Sequence, residues 1–273
     1  MTSIFKAILH FPRSFWVHRE LWWRLTEREV LGRYRGSALG IGWSFITPLA
    51  MLAVYTFVFS QVFKARWGGL EQAGPLVFAV NLFAGLIVFN LFSECVSRAP
   101  GLVVSNPNYV KKVVFPLEVL GFVAVGSAGF HAITSLIILL VFEMIALHQL
   151  PITLLWLPLV WLPLVFGSLA CTWFLSAAGV FLRDIGQLVG VFLNMLMFLS
   201  PVFFPVSALP PKWQPLMCLN PLAQIIEQTR RTVLESRSPD FAYIALGLML
   251  SIFACELSYR VFLKSKRAFA DVL

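Results

Sequence analysis

Apolar runs long enough to cross a bilayer alternate with short charged stretches along the whole 273-residue chain. The first, residues 37–63, carries no charge in 27 positions. At about 1.5 Å per residue such a run spans a ~30 Å hydrocarbon core with tilt. Residues 75–96, 117–143, 152–182, 185–204 and 241–263 supply five more. Pro158 and Pro163 fall in the first half of 152–182, which predicts a kinked or late-starting helix. The run from 185 ends in Ser200-Pro201 and Pro205, so that span is expected to break near its far end. Gly32, Gly36 and Gly40 recur every fourth residue ahead of and into the first run. That spacing suits close approach of another helix, although glycine is also generally frequent in membrane helices.

Other stretches are too short or too polar to cross. Residues 213–226 are uncharged for only 14 positions, between Pro210-Pro211 and the charged stretch 227–237. Runs of that length re-enter or lie at an interface, which predicts short helices dipping in from one side within 205–240. Residues 1–36 interleave seven Lys/Arg and three Glu with Phe15, Trp16, Trp22, Trp23 and Tyr34. Trp16 and Trp23, seven apart, share a helical face. An interfacial helix anchored by tryptophans and basic residues fits; a topology signal with no further role is the competing reading. Ser105-Asn106-Pro107-Asn108 is a turn-and-cap sequence that can start a short helix through Tyr109, Lys111 and Lys112. Glu94 with Arg98, and Glu256 with Arg260, stand at the i, i+4 spacing of helical ion pairs. Arg183-Asp184 separates the fourth and fifth runs; such a pair is tolerable in a surface turn and expensive inside hydrocarbon. The expected architecture is an all-α integral membrane protein. It has an interfacial amphipathic helix in 1–36, six transmembrane helices over 37–263, re-entrant helices between spans five and six, and a tail, 264–273.

Composition agrees: 59% of residues are hydrophobic, 12% are charged and the mean hydropathy is +0.83. The net charge of +8 reads as topology rather than as nucleic-acid binding. Six spans put both termini on one side. That side holds 15 Lys/Arg, and the other holds Lys64, Arg66, Lys212, Arg230, Arg231 and Arg237. The larger count marks the cytoplasm, so both termini are expected there. The first long run follows a charged segment and exceeds a signal-peptide core, so no cleavable signal is expected. Cys95, Cys171, Cys218 and Cys255 lack metal or redox spacing and read as small buried hydrophobes. His131, in mid-span, reads as neutral and hydrogen-bonded, with no carboxylate placed to join it. The sequence has no G-x-x-x-x-G-K-[ST] loop, no zinc spacing and no G-x-S-x-G. Glu94, Glu143 and Glu256 lie toward span ends, which argues against an ion-coupled carrier or an intramembrane acid–base enzyme. Energy for uphill transport would come from a separate subunit.

Several stretches together resemble a known family. They are Arg28-Glu-Val-Leu-Gly-Arg-Tyr-Arg-Gly-Ser-Ala-Leu-Gly-Ile-Gly-Trp43 with Pro48-Leu49, and Ser105-Asn-Pro-Asn-Tyr-Val-Lys-Lys-Val-Val-Phe-Pro-Leu-Glu-Val119. Phe181-Leu-Arg-Asp-Ile185, Ser200-Pro-Val-Phe-Phe-Pro205, Leu219-Asn-Pro-Leu222 and the Phe269-Ala-Asp-Val-Leu273 tail follow in order. The chain thereby resembles the permease subunit of polysaccharide-exporting ABC transporters, most like those exporting O-antigen. The resemblance implies a homodimer working with two copies of a cytoplasmic ABC ATPase. A lipid-linked polysaccharide would pass at the dimer interface, and ATP and Mg would be held by the ATPase rather than by this chain. It implies that Ser105, Asn106, Pro107, Asn108, Tyr109, Lys111 and Lys112 dock on the ATPase. Arg183 and Asp184 would form a cytoplasmic turn. Trp22, Trp23, Arg28, Arg33, Tyr34 and Arg35 would lie where the substrate enters. Ser200, Pro201, Phe203, Phe204, Trp213, Asn220 and Pro221 would form an outer gate. Capsule or teichoic acid export, and drug or lipid efflux on the same fold, are the alternatives. A glycan-modifying membrane enzyme is a third, set against the dispersed carboxylates.

Overall fold

The computed structural model describes residues 10–58, 75–111, 115–147 and 151–273. Lys112, Lys64 and Arg66 lie outside the described residues. All regular structure among the described residues is helical. The N-terminal segment forms α1 (Phe11–Val17) and α2 (Arg19–Tyr34), which meet at His18. Then come α3 (Trp43–Phe57), α4 (Pro75–Arg98), the short α5 (Pro107–Lys111) and α6 (Val119–Leu147). They are followed by α7 (Leu157–Phe181), α8 (Ile185–Leu199), α9 (Gln214–Leu219), α10 (Pro221–Val233), α11 (Phe241–Ser265) and α12 (Phe269–Val272). Five of these segments, built on α3, α4, α6, α7 and α11, are long and apolar enough to cross a membrane. The sixth expected span is α8, whose 15 residues rise only about 22 Å before the chain breaks at Ser200.

Local sequence explains the ends. The Pro151 backbone is extended, a 3-10 turn covers Ile152–Trp156, and α7 then opens with Pro158 in its first turn. A missing N–H is harmless there, so the fourth span starts late. Asn220 is extended and accepts from the backbone N–H groups of Leu222 and Ala223, which caps α10. Asp240 caps α11 in the same way through Ala242.

Lipid is as apolar as leucine, so close packing and hydrogen bonds hold such a bundle. One core surrounds α4, the most enclosed of the five spans. The other surrounds Trp173 of α7, which is fully buried among Phe11, Phe122 and Tyr259. The Trp173 indole donates to the carbonyl of Glu118 at 3.0 Å. Most of α3 and one side of α8 face outward with large apolar side chains.

Several expectations change. The three spaced glycines do not share a helix. Gly32 is in α2, while Gly36 (φ 86°) and Gly40 (φ 50°) supply the left-handed backbone of the turn into α3, and none has a close neighbour. Glu143 does not end the third span. Helix α6 runs on to Leu147, and Glu143 is 1% exposed, with an oxygen lacking a partner among the described residues. Cys218 is exposed and Cys171 half-buried; only Cys95 and Cys255 are buried. The N-terminal segment is also packed on the bundle. Trp16 and Trp23 point outward, but Thr26 and Val30 are buried, and the Trp22 indole donates to the Phe122 carbonyl of α6 at 2.9 Å.

Candidate functional site

The motifs gather at two ends of the bundle. At the first end, exposed Ser105 precedes α5, which begins at Pro107 and carries exposed Pro107, Asn108 and Lys111. Asn106 is half-buried and bonds the Leu102 carbonyl through its side-chain amide. Tyr109 faces inward: its ring stacks on Phe115 at 4.2 Å, and its hydroxyl accepts from Arg28 of α2 at 2.7 Å. The C-terminal tail lies beside it. Phe269 is fully buried against Phe181 and Phe262, and Lys266 donates to Glu118 at 2.9 Å. Arg183 and Asp184, next to Phe181, are exposed in the turn between α7 and α8. Four segments that charge counting assigned to one face thus share one end.

The residues expected at a substrate entrance divide. Trp23 and Arg35 are exposed, whereas Trp22, Arg28, Arg33 and Tyr34 bond to the bundle. Arg33 reaches Glu94 of α4 at 2.6 Å, and Glu29 pairs with Arg98. The reading of His131 as having no carboxylate neighbour is corrected here: Glu94 lies 3.0 Å from its Nδ1. Arg33 Nη1 stands 3.2 Å from the same Nδ1, and the Tyr34 hydroxyl is 3.1 Å from Nε2. Burial pushes the Tyr34 phenol above its ordinary pKa against the pull of Arg33, so it stays a donor. A 37-residue separation hid this pair from the sequence.

At the far end, two motifs meet. The Asn220 amide nitrogen donates to the Leu199 carbonyl at 3.2 Å and to the Ser200 hydroxyl at 3.0 Å, while its oxygen caps α10. Ser200, Pro201 and Val202 are buried; Phe203 and Phe204 are half-buried, and Phe203 stacks with Phe198 at 5.7 Å. Trp213, under Lys212, and Pro221 are exposed. The sequence placed Arg230 among the loop charges on this side. It is instead 2% exposed. Its Nε donates to the Asn81 carbonyl of α4 at 3.0 Å, Nη1 to Pro201 at 2.6 Å and Nη2 to Val202 at 2.9 Å.

Between the two ends, α8 shows a second feature that sequence reading passed over. Arg183, Gly186, Gln187, Gly190, Val191 and Asn194 line one open cleft of about 560 Å³. All six are exposed. Glycine and amide residues at helical spacing were the signal for it, hidden within a run read only for its lack of charge. An amide side chain turned to hydrocarbon is costly, so this face suits water or another helix.

Comparison with known proteins gives the family. The chain is 27% identical to an O-antigen export system permease protein RfbA of Myxococcus xanthus, over 97% of this chain and 99% of that one. It is 23% identical to an RfbA of Klebsiella pneumoniae over 91% of this chain and 93% of that protein. It is likewise 23% identical to the polysialic acid transport protein KpsM of Escherichia coli, over 86% and 91%. Residues 20–234, which include α2 through α10, match the ABC-2 type transporter family, and the chain belongs to that family.

Proposed function

We propose that this chain is the channel-forming subunit of an ATP-driven exporter. It moves a lipid-linked, O-antigen-like polysaccharide from the cytoplasm to the outer side of the cytoplasmic membrane. The observation that carries this reading is the polar stripe of α8. Arg183, just ahead of α8, and Gln187 and Asn194 on it are exposed beside large apolar side chains of the same helix, as expected of a conduit wall completed by a second copy. Relatives named for O-antigen export support the substrate class, and the Myxococcus protein covers more of the chain than the capsule-type relative does.

In this reading α5 docks on a cytoplasmic ABC ATPase, which holds ATP and Mg, and two ATPase copies serve a homodimer. The domain plan follows: 1–36 at the inner interface, six spans over 37–263 with α8 as the fifth, a re-entrant gate region at 205–240, and the tail 264–273. Both termini, α5 and the Arg183-Asp184 turn face the cytoplasm. Trp22, Trp23, Arg28, Arg33, Tyr34 and Arg35 lie at the substrate entrance, with Trp23 and Arg35 exposed. Ser200, Pro201, Phe203, Phe204, Trp213, Asn220 and Pro221 form the outer gate.

The test is deletion of the chain in its host, followed by extraction of lipid-linked glycan from inside and outside the membrane. Polymer accumulating inside, with loss at the surface, is the expected result. Unchanged surface glycan with no internal accumulation overturns polysaccharide export and moves the weight to small-molecule or lipid efflux.

A further inference from the structure

Arg230 is the most heavily bonded buried cation among the described residues, and its partners belong to two separate elements. The break after α8 lies where a 15-residue helix stops short of a full bilayer crossing. Backbone carbonyls there need protein donors, since lipid offers none. Arg230 supplies donors to Pro201 and Val202, and from the same guanidinium to Asn81 in α4. Gly85, one turn further along α4, makes the room: a Cβ there would stand 2.7 Å from Arg230 Nη2 and 3.3 Å from Val202 Cα. Glu227, on the same helix, lies 3.3 Å from Nη1 and is itself about a third exposed. Burial pushes the guanidinium pKa down to about 10, so it stays charged at neutral pH. One guanidinium thereby joins α4 to the break after α8.

The other end of α4 is also fixed. Glu94 and Arg98 bond to α2, and the chain passes from Arg98 through the Ala99–Gly101 turn toward α5. Helix α4 is therefore a rod of about 36 Å, tied near α5 at its Arg98 end and, about 26 Å away at Asn81, to the break after α8. We propose that Arg230 is a positioning residue for transport, the pin through which displacement of α4 is passed to the outer break. This assignment rests on the export reading.

The experiment compares wild type with Arg230→Gln, Arg230→Lys and Gly85→Ala in native membranes, as the assembled complex with its ATPase. Three quantities are read at matched membrane abundance: surface glycan, ATP hydrolysis, and labelling of Cys218 by a membrane-impermeant maleimide with and without ATP and vanadate. Cys218 is exposed on α9, and a Cys218→Ser chain supplies the background. Arg230→Gln is expected to hydrolyse ATP normally while export falls about tenfold, a size ordinary for coupling between sites. Its Cys218 labelling no longer follows nucleotide. Arg230→Lys keeps the charge without the planar fork and does not rescue. Wild-type export by Arg230→Gln, or labelling that still follows nucleotide, overturns the proposal. Where Arg230→Gln fails to accumulate, Gly85→Ala decides, because it keeps the guanidinium and displaces it; normal export by that variant is equally fatal. If deleting the chain leaves surface glycan unchanged, the export reading fails, and the Cys218 response still judges the pin.

Discussion

Gly179 lies on α7 where that helix crosses the Ala99–Gly101 turn, and replacing it with alanine measures how tightly the two are packed. A Cβ at this position would stand 2.8 Å from both the Cα and the carbonyl carbon of Pro100, and closer still to its oxygen. These are backbone atoms and cannot swing aside as a side-chain tip would. Ordinary contact starts near 3.4 Å, so α7 and the turn must part by about 0.6 Å or more. Overpacking of this kind costs ~1–3 kcal/mol. Alanine returns ~1 kcal/mol through helix propensity, leaving Gly179→Ala destabilised by up to ~2 kcal/mol. Gly167, on the same helix with nothing within 4 Å of its Cβ position, is the control. Gly167→Ala is expected to match wild type or exceed it slightly. Reversible denaturant unfolding of the three purified chains in one detergent gives the comparison. Equal stability of Gly179→Ala and Gly167→Ala would refute the packing argument. Because the turn leads toward α5, Gly179→Ala is also expected to lower export in cells where its abundance is restored.

Three further outcomes follow from single contacts. Trp173→Phe removes the indole donor from the buried Glu118 carbonyl and shrinks the second core, for a loss of ~2 kcal/mol in the same unfolding assay. Asn220→Asp keeps the oxygen that caps α10 but loses the donor to Leu199, whereas Asn220→Ala loses both; the alanine variant is expected to be weaker by a further ~1 kcal/mol, and equal stabilities would remove the capping role. Lys111→Glu leaves the chain's abundance unchanged and lowers surface glycan, since the side chain is exposed on α5; normal export from a correctly inserted variant would contradict ATPase docking there.

What the sequence could reveal was local. Uncharged run length identified the crossing helices, and Pro158 marked a late helix start because a missing N–H acts within one turn. The meeting of Ser200 with Asn220 and the burial of Arg230 were not legible. Arg230 bonds backbone carbonyls at Asn81, Pro201 and Val202, and a carbonyl carries no side-chain signature. By side chain alone Arg230 looked like Arg231, which bonds the nearby Ser238 carbonyl at the exposed surface. The Gly32, Gly36 and Gly40 spacing misled because one interval serves both a helix seam and a left-handed turn. The stripe on α8 was present at helical spacing, yet a count of charges does not register glutamine or asparagine.

Glu256 sets an order of events during synthesis. Its carboxylate accepts from the backbone N–H of His10 at 2.8 Å and pairs with His10 Nδ1 and Arg260. The start of α1 is therefore tied to a residue 246 positions later, in the last helix of the bundle. Chains emerge N-terminus first, and contacts of such separation form late. The His10 N–H at the start of α1 gains this acceptor only once α11 has been made. A chain truncated before residue 256 would leave that N–H and the His10 ring without this carboxylate, a mark of incomplete assembly.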